Sequence, residues 1–403
     1  MSAGAELSAP ARRLEAPAAP RERPLRVQVV DPSAYAPAYD HGLCAALARA
    51  GAQVDLHTSS FAYGPVPDND GYAAHRSFYR FTPRLRQPLV RRLVKLAQHG
   101  PDMLAWRRRA ARADVLHLQW LTVEPLDVAL LPRDVPVVFT AHEIVPRTGG
   151  RAAIAARRRL YERVDAVVVH TEQGRARLLD EFGVDPAKVE LVPHGAFDYL
   201  AGQRDERPLP EELAAVSGPV VLSIGVWRPY HGLEQLLEAW RGIEGAELWI
   251  AGLPRMPLEP LRRAAPPGVR FIPRFVTDPE LPAFFRRADV VVFPYRSIEA
   301  SGALFSALPF GCAVLATAVG GFVDVARDGA VATVPDGDPA AMRAELARLL
   351  ADAGARERLA AGALAACAGP YAWDRIAERT LAVYRRVGEA FGRSAYSEDE
   401  PVR

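Results

Sequence analysis

Short runs of β-branched and leucine residues recur along the chain, separated by segments whose apolar positions follow helical spacing. "LRVQVVD" at 25–31 and "QVDLHTS" at 53–59 predict two strands. Between them, "YDHGLCAALARAGA" at 39–52 predicts an amphipathic helix that stops at Gly51. Four further runs follow: "ADVLHLQW", "VPVVFTAHE", "VDAVVVHTE" and "VELVPHG". Runs this apolar suit strands buried on both faces, hence a parallel sheet covered by helices. Over 199–217 the texture turns polar and proline-containing, as expected of a linker. A second series then begins with "PVVLSIGV" and continues through "AELWIAGLP", "VRFIPRF", "ADVVVFPY", "AVLATAV" and "AVATVP". The pattern predicts an α/β protein with two doubly wound domains in tandem, 25–198 and 218–375, facing across a cleft. A final helix over 376–392 is expected, with its return to the first domain left open. Ligands of such sheets bind at the carboxyl ends of the strands.

Composition adds bounds. The 403 residues suit two domains. The termini, 1–24 and 393–403, are rich in alanine, proline and charge, predict disordered tails, and lack the apolar block of a secretion signal. Cys44, Cys312 and Cys367 lie far apart with no metal spacing, consistent with reduced thiols and a cytoplasmic location. No apolar run approaches the roughly 20 residues that span a bilayer. Net charge is only +2, yet eleven Arg or Lys and one acid, Asp102, fall between Arg76 and Arg112, leaving about −8 elsewhere. From Leu89 to Ala97 basic and apolar positions segregate on a helix. That fits peripheral contact with an anionic membrane at its inner face, an anionic-acceptor site, or a solvated helix packing on its own domain. No nucleic-acid motif accompanies the charge, so nucleic acid is not an expected partner. The chain has no Walker A loop, and the first strand is not followed by G-x-G-x-x-G.

Candidate chemistry gathers at strand ends. In "SIGVWRPYHGLEQLLEAW" a strand leads through Gly225, Arg228, His231 and Gly232 into a helix, whose exposed amides and dipole suit phosphate. Arg228 adds a forked, permanently charged donor; a surface arginine in a polar loop is the bland alternative. In "SIEASGALFSALPFG", Glu299 is placed to accept hydrogen bonds from sugar hydroxyls, and Ser301-Gly302 open a helix. Ser301 by itself needs no more than an N-cap role. Gly320-Gly321 permit close backbone approach, or simply a β-to-α turn. In the first half, His142 ends the strand of "FTAHEIVP", and "VPHG" places His194 and Gly195 at the last strand's end. Glu143 and Asp40 are weaker candidates.

Together these stretches resemble the GT-B glycosyltransferases of the retaining family 4 type, over nearly all of 25–391. "IGVWRPYHGLEQLLEAW" looks like the family's Gly, Arg, Lys-Gly phosphate segment, with His231 where the lysine is usual. Glu299 to Gly311 looks like its E-x7-E region, with Ser306 or Ala307 where the second glutamate is usual. "ATAVGGFVDVARDG" looks like its Gly-Gly turn, with Asp324 at the acidic position. The resemblance implies two Rossmann-like domains and transfer of a hexosyl group, with retention, from a nucleotide-diphospho-sugar to a saccharide, lipid-linked or small-molecule acceptor. It implies catalytic roles for His142 and Glu299. Donor contacts would come from Gly225, Arg228, His231, Gly232, Ser301, Gly302, Gly320 and Gly321, with no metal and no cofactor besides the donor substrate. The missing lysine and glutamate keep two alternatives open: a non-catalytic nucleotide-sugar or partner-binding protein, and a nucleotide-sugar epimerase.

Overall fold

A computed structural model describes residues 23–82, 87–146 and 149–392. The expected tails over 1–22 and 393–403 lie outside the described residues. Arg23, counted with the first tail, is anchored: its guanidinium donates to both oxygens of Asp114 at 2.7 and 3.0 Å.

The first sheet contains β1 (Arg26–Asp31), β2 (Gln53–Thr58), β3 (Ala73–Arg76), β4 (Val115–Leu118), β5 (Val137–Thr140), β6 (Ala166–Val169) and β7 (Val189–Leu191). Its order is β3-β2-β1-β4-β5-β6-β7, and every pairing is parallel. The second contains β8 (Val220–Ile224), β9 (Glu247–Ala251), β10 (Val269–Ile272), β11 (Val290–Phe293), β12 (Val314–Thr317) and β13 (Val331–Val334), in the order β10-β9-β8-β11-β12-β13, again all parallel. Strand order reverses beside β1 and beside β8. The loops leaving those two strands therefore part to opposite sides and open a crevice at the carboxyl edge.

Twelve of these thirteen strands fall in the apolar runs. The exception is β3, the sequence AAHR, exposed at every position on the outer edge of the first sheet. Unlike the other edge strands, β7, β10 and β13, it buries none of its residues, so its sequence carries no burial signal.

The helix Trp373–Ala390 packs on the first domain, not the second. Its Trp373, Ile376, Ala377, Leu381 and Tyr384 share one core with Val27 and Val29 of β1 and with Leu43 and Leu47 of the helix Pro37–Arg49. The Tyr384 hydroxyl meets Nδ1 of His117, in β4, at 2.5 Å. The helix starts three residues before the expected 376, and the chain crosses between domains between Tyr371, in the second-domain core, and Trp373.

Candidate active site

The second-domain loops are shaped by close backbone packing. After β8, Gly225 has φ 147° and Gly232 has φ 64°. A Cβ on Gly232 would lie 1.9 Å from the Pro294 carbonyl oxygen, so only glycine lets the helix Leu233–Trp240 start there. His231 is buried, its ring stacked on Tyr295 at 4.1 Å and 2°. It packs inside the loop instead of projecting as the usual lysine would. Arg228 is exposed, and no hydrogen bond or ion pair engages its guanidinium among the described residues. Its charge reaches Tyr35 of the first domain, where it opposes the upward push that burial gives that phenol.

After β11, Ser301 caps the helix Gly302–Ala307, its Oγ accepting from the Leu304 amide at 3.3 Å. Ser306 donates back to the Gly302 carbonyl at 2.9 Å. Its hydroxyl proton is thereby engaged within the helix. Gly320 has φ 52°, and a Cβ there would lie 1.7 Å from the Ile298 carbonyl oxygen; one on Gly321 would lie 2.8 Å from that of Glu299. The paired glycines thus let the β12 turn close onto the 298–299 backbone, sealed by a Gly321 amide bond to the Glu299 carbonyl at 3.0 Å.

Glu299 is buried, and its carboxylate crosses the cleft to accept from the Arg177 guanidinium of the first domain. Its other oxygen lies over Gly174, in the first turn of the helix Glu172–Phe182, where the helix dipole favours a negative charge. The Glu172 amide in turn donates to Asp324 at 3.2 Å.

Two cavities occupy the crevice. One, of about 810 Å³, is lined by Glu299, Gly320, Asp324, Arg177, Arg296 and Glu143, among others. The other, of about 370 Å³, is lined by His142, His194, Tyr35, Trp120, Phe275 and Gly302, among others. They meet at Glu143 and Ile298, which line both. The structure therefore brings Glu299 together with Gly320, and His142 with Gly302, on either side of one partition. Arg228 lines neither; Gly225, His231, Ser301 and Gly321 support the walls.

The first-domain wall carries a row of histidines, His142 half-buried and the others buried, that the sequence showed only in part. His142, His170 and His194 follow β5, β6 and β7, and His117 lies in β4. His170 Nδ1 faces the Val192 carbonyl at 2.9 Å, so it must carry the proton. His170 Nε2 then accepts from His142 Nδ1 at 3.3 Å. His142 Nε2 is left as an acceptor 3.0 Å from the side-chain oxygen of Gln119, so this tautomer requires the Gln119 amide to be turned with its unpartnered NH₂ toward the ring. Burial, with neighbouring His170, His194 and His117, pushes His142 well below the usual imidazole range. The ring is neutral, stacked on Trp120 at 5.0 Å and 8°. His194 stacks on Phe305 of the second domain at 4.4 Å and 10°. Asp40 is an internal brace. Burial and the adjacent Asp31 raise it well above the carboxylate range, so it is protonated and donates to Asp31. Asp31 in turn accepts amides of Ser33, Tyr35 and Ala36.

Arg177 and Lys95 escaped sequence reasoning. The sequence assigns no role to the Arg177 helix, and it leaves the Lys95 helix open between membrane, anionic-acceptor and solvated readings; tertiary packing brings Arg177 to Glu299 and Lys95 to Ser33. Lys95 Nζ donates to Ser33 Oγ at 2.9 Å and sits 4.5 Å over the Tyr79 ring. Among the described residues no group of three or more His, Cys, Asp or Glu is arranged to hold a metal ion.

Residues 39–196 match the family model described as Glycosyltransferase Family 4, and residues 218–352 match Glycosyl transferases group 1. The D-inositol 3-phosphate glycosyltransferase of Salinispora arenicola is 30% identical over 328 residues, covering 71% of this chain and 71% of its own. That of Geodermatophilus obscurus is 28% identical over 329 residues, covering 73% and 69%. Among solved structures, sucrose-phosphate synthase from Thermosynechococcus elongatus superposes with a TM-score of 0.70 at 19% identity, over 91% of this chain and 100% of that one. Anabaena HepE in complex with UDP-glucose does so with 0.66 at 14% identity, over 91% and 99%. Two parallel-sheet domains joined across a crevice, with both family models matching in chain order, make this chain a member of the GT-B glycosyltransferases of family 4, a sugar-transferring enzyme of hexosyltransferase type.

Proposed function

We propose that the chain moves a hexosyl group from a nucleotide-diphospho-sugar, bound by the second-domain loops, to an acceptor lying against the His142 wall, with retention at the anomeric carbon. The carrying observation is Arg228. It is an exposed guanidinium with no hydrogen bond or ion pair among the described residues, beside the N-terminus of the helix that Gly232 opens, and its charge reaches Tyr35 in the cavity wall. A buried or rim cation without a carboxylate is suited to a diphosphate.

In this reading the bond from C1 to the phosphate oxygen breaks, and the bond from C1 to the acceptor oxygen forms on the same face. The acceptor proton passes to the departing phosphate. Arg228 and the loop amides stabilise the charge that grows there, an effect that fixed donors supply without reorganisation. Glu299 receives hydroxyls of the donor sugar, and neutral His142 shapes the acceptor side as a hydrogen-bonding wall. The relatives named above are D-inositol 3-phosphate glycosyltransferases. In this chain the wall is aromatic, through Tyr35, Trp120 and Phe275. Faces of that kind suit the apolar side of a sugar ring, which favours a saccharide or lipid-linked acceptor.

The test is calorimetric titration of a nucleotide-sugar panel against wild type and Arg228→Ala. Loss of a charge-assisted contact of about 1.5–3 kcal/mol weakens donor binding roughly 10- to 100-fold. Equal affinity of the two proteins would remove Arg228 from the donor site.

The helix Pro88–Ala110 supports a peripheral membrane contact. Leu89, Leu93 and Leu96 are 70%, 60% and 61% exposed and share one face. Arg91 and Arg92 lie beside them. An exposed apolar stripe flanked by arginines suits an anionic lipid surface.

A further inference from the structure

The arginines at the other end of that helix form a second, separate feature. One face of β1 and β2 is apolar: Val27, Val29, Val54 and Leu56 join the core beneath the helix Pro37–Arg49. The opposite face is polar where it runs toward the edge. Gln28 lies beside Asp55, and Val30 beside His57, which lies beside His75. The helix Pro88–Ala110 covers this face through Met103, Trp106 and Ala110, packed with Val30 and Leu116, and then ends. Past its end the sheet is uncovered. A groove of about 670 Å³ remains, sharing no lining residue with either crevice cavity.

Among the described residues five arginines line this groove: Arg26, Arg76, Arg80, Arg109 and Arg112. They come from β1, the end of β3, the following turn and the helix terminus. Arg26 leans on Asp114 at 3.2 Å. Among the described residues Arg80 donates only to the Arg76 carbonyl, at 3.2 Å. No ion pair or hydrogen bond engages the guanidinium groups of Arg76, Arg109 and Arg112 among the described residues. The groove's one carboxylate, Asp55, is held by His75 at 2.6 Å. Like charges gathered in a concavity repel unless an anion joins them. The groove floor adds a second requirement. Gln28 is 6% exposed, and its Nε2 donates to the Arg109 carbonyl at 3.0 Å, leaving Oε1 buried without a donor. A buried acceptor left unmade costs roughly 1–3 kcal/mol. It calls for a hydroxyl or N–H, which a polyol offers in number and a fully ionised phosphate group does not.

We infer that this groove, remote from the crevice, is a binding site for a phosphorylated sugar or polyol, its phosphate held by Arg76, Arg109 and Arg112 and its hydroxyls directed at Gln28 Oε1 and Asp55. Between Leu93 and Arg109 the helix advances about 24 Å, so the site is also distinct from the apolar stripe.

The experiment is calorimetric titration of the full chain with glucose 6-phosphate, with glucose and inorganic pyrophosphate as separate probes. Wild type is expected to bind glucose 6-phosphate and not glucose. Arg109→Ser/Arg112→Ser is expected to weaken that binding at least tenfold, and Arg228→Ala to leave it unchanged. Arg76→Ser, on an exposed edge position, gives the same reading if the double variant does not fold. Pyrophosphate binding as tightly as glucose 6-phosphate would overturn the hydroxyl requirement. A silent wild type, or groove variants that bind as wild type does, would overturn the site. A lipid headgroup as the source is tested with phosphatidylinositol vesicles. Vesicle binding that depends on Arg109 and Arg112, with no binding of glucose 6-phosphate, would overturn the soluble-ligand assignment.

Discussion

Gly320 shows how a single residue can look functional for a structural reason. Its φ of 52° and the 1.7 Å approach to the Ile298 carbonyl that a Cβ would make leave no room for a side chain. Gly320→Ala is expected to destabilise the second domain by at least about 2 kcal/mol, read as a lowered urea midpoint. A midpoint equal to wild type would show that the turn relaxes at no cost. The histidines make a residue-scale prediction about pH. Burial pushes His41, His57 and His170 down to about 4 and His117 to about 3. Between pH 6.5 and 4 the unfolded chain binds protons that the folded chain refuses. Stability is therefore full above pH 6.5 and falls as pH drops through that window. One such histidine gives a slope of roughly 1 kcal/mol per pH unit. Unfolding at pH 7 and pH 5 checks the sign; stability that rises on acidification would contradict it.

At the scale of elements, legibility followed burial. Nine of the twelve strands read from the sequence lie inside a sheet; the other three, β7, β10 and β13, are edges whose residues are still mostly buried or half-buried, and apolar residues follow that burial. The edge strand β3 pairs on one side, meets solvent on the other, and left no pattern. The helix Pro88–Ala110 was legible as amphipathic, but not which of its sides meets the protein. Lys95 turns inward to Ser33, whereas the apolar Leu89, Leu93 and Leu96 face outward. Leu89→Gln/Leu93→Gln/Leu96→Gln is expected to abolish co-sedimentation with phosphatidylglycerol vesicles at low salt while leaving the unfolding midpoint unchanged. Each exposed leucine contributes about 1.5–3 kcal/mol when buried in lipid and almost nothing to the fold. Undiminished co-sedimentation would restrict the stripe to packing or acceptor contact. A drop in midpoint would mean that the stripe serves the fold.

For the whole molecule, the decisive feature is that Glu299 of one domain reaches Arg177 of the other. Glu299→Ala is expected to lower turnover by at least about 100-fold, with the protein still folded. Arg177→Ala separates the two roles open to that carboxylate. If Glu299 serves only to hold the domains together, both variants lose activity equally. If it receives the donor sugar, Arg177→Ala retains most of the turnover. Steady-state rates with saturating donor distinguish these outcomes.

The linear order of apolar runs determined two parallel-sheet domains, because strands buried on both faces must be apolar wherever they pair. The glycine turns and the residues at strand ends were equally local, and so were readable. Which of those residues share a cavity was not. The partition between Glu299 and His142, the burial of His231 against Tyr295 and the crossing of Arg177 depend on how two domains meet. So does the return of Trp373–Ala390 to the first domain, since its apolar stripe would suit either core. The groove of arginines joins residues from 26 to 112 that approach only when β3 pairs at the edge and a helix stops short. Contacts of that separation are set by packing in three dimensions, and no window of neighbouring residues contains them.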